Sequence, residues 1–234
     1  MAVQQARIAR RVLLVASVLF LVWLFGVWPP PIWWRDHQPR CTAMMRLRAD
    51  LQSCRPVARQ MHDGTSPRRH DDMHVLERMV IIAEDSRFKT HHGIDFIELH
   101  DAWTAGAHRG ASTITQQLAK NLYLSPSRSI FRKLKEAVTA LRLELALRKD
   151  RIMDLYLSTA EWGPGIWGAD AASKAYFGVR PDALRPAQAA ALAATLPHPL
   201  TSNPAYHPNR MLARRNWIVA WYYGDSSVVM PRDR

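Results

Sequence analysis

The sequence predicts an all-α domain behind a single membrane-spanning helix. Three observations carry that expectation. From Asp71 onward, apolar residues recur at three- and four-residue spacing, and no stretch alternates convincingly as a strand does. Capping and stopping residues punctuate the pattern, among them Thr113, Gly178, Pro186 and Pro197. Near the N-terminus, Val12 to Trp28 carries no charge and follows Arg7, Arg10 and Arg11.

That apolar run is near the lower limit for crossing a ~30 Å hydrocarbon core. Pro29, Pro30 and Pro31 end it. Trp23, Trp28, Trp33 and Trp34 gather at its far end, as interfacial aromatics do. Positive charge precedes the run, and no Lys or Arg follows until Arg35. This asymmetry puts residues 1–11 in the cytoplasm, 12–28 in the bilayer and the remainder outside. A cleaved signal peptide would be shorter and would end in a small-x-small site, which is absent. Residues 29–70 are polar and irregular, and are expected to form a stalk or a loosely packed first segment. They hold Cys41 and Cys54, which could pair outside the cytoplasm or stay as thiols.

Residues 71–222 are the expected domain. Asp71 or Asp72 can cap a helix that carries Met73, Leu76, Val80 and Ala83 on one stripe and ends at Glu84. Thr113 and Gln116 have capping-box spacing. The helix they open places Ile114, Leu118 and Leu122 on one stripe and Gln117, Lys120 and Asn121 on another. From Phe131 to Leu147, one face carries Phe131, Leu134, Val138, Leu141 and Leu145, and another carries Arg132, Lys133 and Glu136. Asp150 can cap a further helix to Leu157. A Gly/Pro/Trp-rich loop follows, from Glu161 to Gly168. Ala169 to Phe177 is helical and stops at Gly178. Pro186 opens an Ala-rich helix that Pro197 closes, and Asn209 to Tyr222 makes a last, basic-aromatic one. Residues 223–234 read as a flexible tail, frayed from Ser226.

Composition narrows the function. The chain has 234 residues, with Lys and Arg outnumbering Asp and Glu 32 to 20, for a net charge of +12 with His neutral. That excess fits an anionic partner: lipid head groups, phosphates or nucleic acid. Nucleic acid is disfavoured, because no recognition fold or interleaved aromatic patch accompanies the charge. Two cysteines are too few for a disulfide scaffold or a zinc knuckle. Gly163, Gly165 and Gly168 have G-x-G-x-x-G spacing, but no strand-helix-strand pattern surrounds them, and no phosphate-loop Gly-Lys-Ser/Thr run occurs.

Four clusters could carry chemistry. The first is Glu84-Asp85 with Phe88, His91 and Gly93. A carboxylate at a helix C-terminus faces the negative end of the dipole, and exclusion of water would raise its pKa further. That is how a carboxylate becomes a useful general base near neutral pH. The second is Gly110 to Asn121, where Ser112, Thr113, Gln117, Lys120 and Asn121 gather around a glycine-led helix start suited to an anionic oxygen ligand. The third is Arg132-Lys133 with Glu136. The fourth is the Glu161–Gly168 loop. Taken singly each has a plainer reading: a solvated helix end, a solvated lysine, a surface i, i+4 ion pair. Together, two carboxylates with Lys and Arg are what glycosyl transfer from a phosphate leaving group needs.

These stretches resemble the motifs of the peptidoglycan glycosyltransferase family shared by class A penicillin-binding proteins. Glu-Asp-x-x-Phe-x-x-His-x-Gly matches Glu84, Asp85, Phe88, His91 and Gly93. Gly-x-Ser-Thr-Ile-Thr-Gln-Gln-x-x-Lys-Asn matches Gly110 through Asn121. Arg-Lys-x-x-Glu matches Arg132, Lys133 and Glu136. Arg-Ile-x-x-x-Tyr-Leu matches Arg151, Ile152, Tyr156 and Leu157. The resemblance runs from about Leu76 to Pro199. The one Ser-x-x-Lys spacing, Ser86 to Lys89, lies inside the first motif rather than in a transpeptidase setting, so the chain is similar to the monofunctional, membrane-anchored form. Ser158 and Pro164 depart from residues usual in the family.

The resemblance implies an all-α, lysozyme-like glycosyltransferase domain with a smaller membrane-proximal lobe, behind one transmembrane helix. It implies polymerisation of lipid II into β-1,4-linked glycan strands, with inversion at the anomeric carbon and release of undecaprenyl pyrophosphate. Glu84 would be the general base. Lys120, Arg132 and Lys133 would neutralise the pyrophosphate, with a divalent cation (Mg2+ or Mn2+). Glu136 would be the second catalytic carboxylate, positioning those cations or holding the metal. Asp85, Phe88, His91, Ser112, Thr113, Gln117 and Asn121 would line the substrate subsites. The implied partners are lipid II, the growing strand, the bilayer, and other proteins of wall synthesis or division. The implied location is the inner (plasma) membrane, with the N-terminus cytoplasmic and the domain periplasmic. A glycan-cleaving lysozyme-like enzyme and an inactive scaffold of wall assembly are the alternatives; the phosphate-binding cations argue against the first and the intact motifs against the second.

Overall fold

The computed structural model describes residues 2–48, 75–104, 112–127 and 129–231. The proposed cap at Asp71 or Asp72, Met73, Cys54, Gly110 and most of the expected stalk lie outside the described residues. Among those described, the order is α1 (Ala2–Phe25), a 3-10 turn (Pro31–Arg35), α2 (Ala43–Leu47), α3 (Val75–Glu84), α4 (Phe96–Thr104), α5 (Ile114–Tyr123), α6 (Ile130–Ala146) and α7 (Lys149–Thr159). Then come a hairpin of β1 (Glu161–Gly163) and β2 (Ile166–Trp167), and α8 (Ala169–Phe177), α9 (Pro186–Thr195) and α10 (Pro208–Tyr222). The all-α, lysozyme-like expectation fits this arrangement.

Two helix groups frame the site. In the first, α9 packs between α3 and α10. Its buried face is almost all alanine, Ala189 through Ala194 with Leu192. Small side chains let the neighbouring helices approach closely. In the second, α5 packs on α6 and α7. Leu118, Leu122, Leu143, Ile152 and Leu155 fill the interior between them. Trp162 and Tyr156 are the largest fully buried side chains.

Several predicted elements hold. Thr113 accepts from the Gln116 amide while the Gln116 side chain accepts from the Thr113 amide, the reciprocal capping box expected from spacing. Gly178 ends α8 at φ +69°. Others shift. Asp150 lies in the first turn of α7, whose N-cap is Arg148. The Gly/Pro/Trp-rich loop contains the antiparallel hairpin, because Pro164 and Gly165 (φ +70°) can form a tight turn. In the tail expected to fray from Ser226, Val228 and Met230 pack on the core, and the Trp221 indole donates to the Val228 carbonyl at 2.9 Å.

The largest correction concerns α6. Its predicted apolar stripe points outward rather than into the core: Phe131 and Leu145 are exposed, Leu145 at 85%. The buried face is instead Glu136, Thr139, Ala140 and Leu143. Part of the outward stripe meets α1, where Phe20 and Phe131 pack edge to face. Lys135 stacks its ammonium over Trp23, and Arg142 donates to the Phe25 carbonyl. On α4 no residue is buried, and Phe96, Ile97, Leu99 and Trp103 all face out.

Among the described residues, one helix, Gln4–Phe25, is long and apolar enough to cross a bilayer. It ends three residues before the expected Trp28. The chain beyond it is docked on the domain, unlike a loose stalk. Arg151 donates to the Trp34 carbonyl and the His37 carbonyl, both at 2.7 Å. Arg35 donates to the Ala146 carbonyl at 2.6 Å, and the Trp34 indole donates to the Tyr123 hydroxyl. Further on, Met44 and Met45 of α2 cluster with Trp167.

Candidate active site

Glu84 is the last residue of α3. Gln117 Nε2 donates to its Oε2 at 2.9 Å, and Arg214 Nη2 donates to its Oε1 at 3.2 Å. The Tyr156 hydroxyl donates to Gln117 Oε1 at 2.9 Å, which turns the amide so that its NH2 faces Glu84. Burial pushes the Glu84 carboxyl above its ordinary value of 4.5; the Arg214 charge, the bonds from Gln117 and Arg214, and the Lys120 charge oppose that rise without cancelling it. Burial also pushes the Tyr156 phenol well up, so it stays a neutral donor.

Lys120 stands one turn beyond Gln117 on the same side of α5. Burial lowers its ammonium pKa below the ordinary 10.5. The charges of Glu136 and Glu84 pull it up, and those of Arg132 and Lys133 push it down. Lys120 therefore feels the charges both of Glu84 and of the α6 cluster.

In that cluster Glu136 is buried. Arg132 Nη1 donates to its Oε2, and Lys133 Nζ donates to its Oε1 at 2.5 Å. Lys133 also donates to Ser112 Oγ at 2.6 Å, tying α6 to the residue before the α5 cap. One carboxylate thus holds two cations at the rim, as the i, i+3 and i, i+4 spacings allow. The divalent cation that the resemblance implies would have to share Glu136 with these two side chains. Both Glu136 oxygens are taken by Arg132 and Lys133. Among the described residues no group of three His, Cys, Asp or Glu stands where it could hold an ion.

Behind this front stands a frame. Asp85 accepts from Ile114 N at 2.9 Å, at the start of α5, and both its oxygens lie 2.9 Å from His91 Nε2. A buried carboxylate here satisfies an orphan amide and the positive end of the α5 dipole. Phe88 is 2% exposed in the core, edge-on to His91, with the Lys149 ammonium 4.5 Å above its ring. Thr113 Oγ1 donates to the Gly93 carbonyl at 2.6 Å. Gly93 has φ +89°, and a Cβ there would lie 3.1 Å from the Ala140 backbone. Thr115 and Lys149 both donate to the buried Glu144, at 2.6 and 2.7 Å.

The structure thus brings Glu84, Gln117 and Lys120 together, and joins Ser112, Arg132, Lys133 and Glu136 beside them. Asp85, Phe88, His91 and Thr113 sit one layer back, where their bonds go to the protein. Asn121 is buried on α5. Sequence reasoning missed Arg214, Tyr156 as the partner of Gln117, and the Thr115–Glu144–Lys149 link. Tyr156 lies in a recognised motif and could have been placed. Nothing local separates Arg214 from Arg210 or Arg215 on the same helix.

A family model described as Transglycosylase matches residues 59–222, which span both the base and the cation cluster. The chain belongs to the transglycosylase family. A biosynthetic peptidoglycan transglycosylase of Azoarcus sp. (strain BH72) is 42% identical to this transglycosylase over 219 residues, covering 88% of this chain and 94% of the relative. Its counterpart in Thiobacillus denitrificans (strain ATCC 25259 / T1) is 38% identical over 230 residues, covering 93% and 95%. A third, in Methylobacillus flagellatus, is 40% identical over 210 residues, covering 87% and 89%.

Proposed function

We propose that this transglycosylase polymerises lipid II into β-1,4-linked peptidoglycan strands, inverting the anomeric carbon and releasing undecaprenyl pyrophosphate. One observation supports it most: a buried carboxylate with raised proton affinity beside Lys120, which feels both its charge and those of a paired Arg and Lys. Glu84 accepts the proton of the acceptor sugar's 4-hydroxyl as that oxygen attacks the donor's anomeric carbon. The bond from that carbon to the pyrophosphate oxygen breaks, and its electron pair leaves with the pyrophosphate. Lys120, Arg132 and Lys133 meet the charge of the leaving group, so no strong general acid is needed. Gln117, fixed by Tyr156, aims the carboxylate. Glu136 keeps Arg132 and Lys133 converged.

The apolar helix is compatible with a single-pass anchor. We place its N-terminal arginines in the cytoplasm, the span in the inner membrane and the domain outside, on the charge asymmetry around the span. An anchor suits a reaction whose donor and acceptor both stay in the bilayer.

The test is detergent-solubilised protein with labelled lipid II, beside Glu84→Gln. Lysozyme-digestible polymer from the wild type alone supports polymerisation and the base together. Near wild-type polymer from Glu84→Gln would refute the base. Shortening of pre-formed glycan without synthesis would refute polymerisation. Lys120→Ala should also weaken binding of a phosphate-bearing donor analogue.

A further inference from the structure

We propose that Arg214 of α10 is a positioning residue for the glycosyl transfer, holding the Glu84 carboxylate in place and facing it with a fixed positive charge that the donor cannot draw away. The inference rests on the reading of Glu84 as the base.

The geometry is specific. Arg214 Nη2 donates to Glu84 Oε1 at 3.2 Å and to the Ala83 carbonyl at 2.6 Å. Ala83 O is one of the carbonyls that a helix leaves unpaired in its last turn. A guanidinium there closes the C-terminal end of α3 and opposes its dipole. The same nitrogen thus fixes the helix end and the side chain it carries. The arginine is itself held: its side chain is only 12% exposed, Trp217 lies 5.9 Å from its guanidinium carbon, and Met230 Sδ lies 3.6 Å from Nη1. The folded-back tail therefore contributes to holding it.

Position decides the role. The cations that would meet a pyrophosphate stand on α5 and α6, whereas α10 packs on α3 and α9. When a pyrophosphate binds, Lys120 is shared between it and Glu84, and the carboxylate loses part of its cationic support. Arg214 does not have to be shared. The groups facing Glu84 are few. Gln117 and Lys120 come from α5, Tyr156 from α7 through Gln117, and Arg214 from α10. The adjacent Asp85 is committed to His91 and Ile114. The buried residues of α9 are alanines, Leu192 and Thr195, none ionisable. No other guanidinium pairs with Glu84 among the described residues. Gln117 and Arg214 each take one lone pair of a different carboxylate oxygen, leaving lone pairs for the acceptor hydroxyl.

The experiment compares full-length wild type, Arg214→Gln and Arg214→Lys in detergent. Gln can still donate to the Ala83 carbonyl but carries no charge; Lys keeps the charge without the fork. The Glu84 titration midpoint is read from its carboxyl carbon resonance, identified by its absence in Glu84→Gln. The acid limb of lipid II polymerisation is read in parallel. Arg214→Gln should move both upward by about one pH unit and lower kcat. Arg214→Lys should keep the wild-type midpoint while still losing rate. A midpoint and limb unmoved in Arg214→Gln would overturn the proposal. Should that variant not fold, Arg214→Lys decides alone: wild-type kcat there would overturn the positioning role. A moved midpoint in a protein whose wild type makes no polymer would uphold the Arg214–Glu84 coupling and refute the polymerase reading instead.

Discussion

Asp85 tests whether the first motif's second acid acts on substrate or on the fold. Replacing it by Asn keeps the shape and removes the charge. In the native protein its carboxylate faces His91 Nε2 at 2.9 Å from both oxygens and accepts from Ile114 N at 2.9 Å, with its side chain 3% exposed. An amide oxygen in the place of Oδ2 still reaches both Ile114 N and His91 Nε2, but the NH2 in the place of Oδ1 then faces the His91 nitrogen and is buried without an acceptor. Leaving one such group unpaired costs about 1–3 kcal/mol. Losing a charge at a helix N-terminus adds about 0.3–1 kcal/mol. The sum is about 3 kcal/mol, or a fall in Tm of about 9 °C for a domain of this size. Circular dichroism in detergent would measure it, with polymerisation assayed well below the new Tm. A framing role predicts the lower Tm with substantial activity at low temperature. A Tm within ~2 °C of wild type, with activity gone, would refute it and return Asp85 to the substrate.

Further expectations follow from the same geometry. Because Glu84 holds its proton more tightly in the folded chain, native stability falls as pH rises from 4.5 through the folded value. Glu84→Gln should therefore melt higher than wild type at alkaline pH, with the gap closing below 4.5; a lower Tm at alkaline pH would contradict the buried placement. Gly93→Ala should cost roughly 1–3 kcal/mol, since φ is +89° and the new Cβ would press on the Ala140 backbone at 3.1 Å; an unchanged denaturation midpoint would be inconsistent with that packing. Arg151→Ala frees the Trp34 and His37 carbonyls. It should lower polymerisation of bilayer-presented lipid II several-fold more than of detergent-presented lipid II, and equal losses in both would argue against a coupling role.

What the sequence made legible was local. The Thr113–Gln116 box, the Gly178 stop and the Pro186 start are each set by a few neighbouring residues, and each appears as expected. The i, i+3 and i, i+4 spacing of Arg132, Lys133 and Glu136 foretold that one carboxylate would gather two cations. Direction was not legible. The α6 stripe has correct periodicity, but the rule that apolar faces point inward fails where another apolar helix, α1, lies on the outer side. Nor could spacing show that Asp85 turns away from Glu84. Adjacent acids at a helix end diverge, one to the front of the site and the other to the next helix's amide. Arg214 lies 130 positions along the chain from Glu84, and only the packing of α10 on α3 brings them together.

The docked segment after α1 has a mechanical consequence. A flexible tether would let the catalytic domain turn freely about the end of α1. Here the Arg151, Arg35 and Trp34 bonds continue the helix into the body of the enzyme. Were α1 set in a bilayer, its tilt would carry through these bonds into the body of the enzyme instead of being lost in a slack linker.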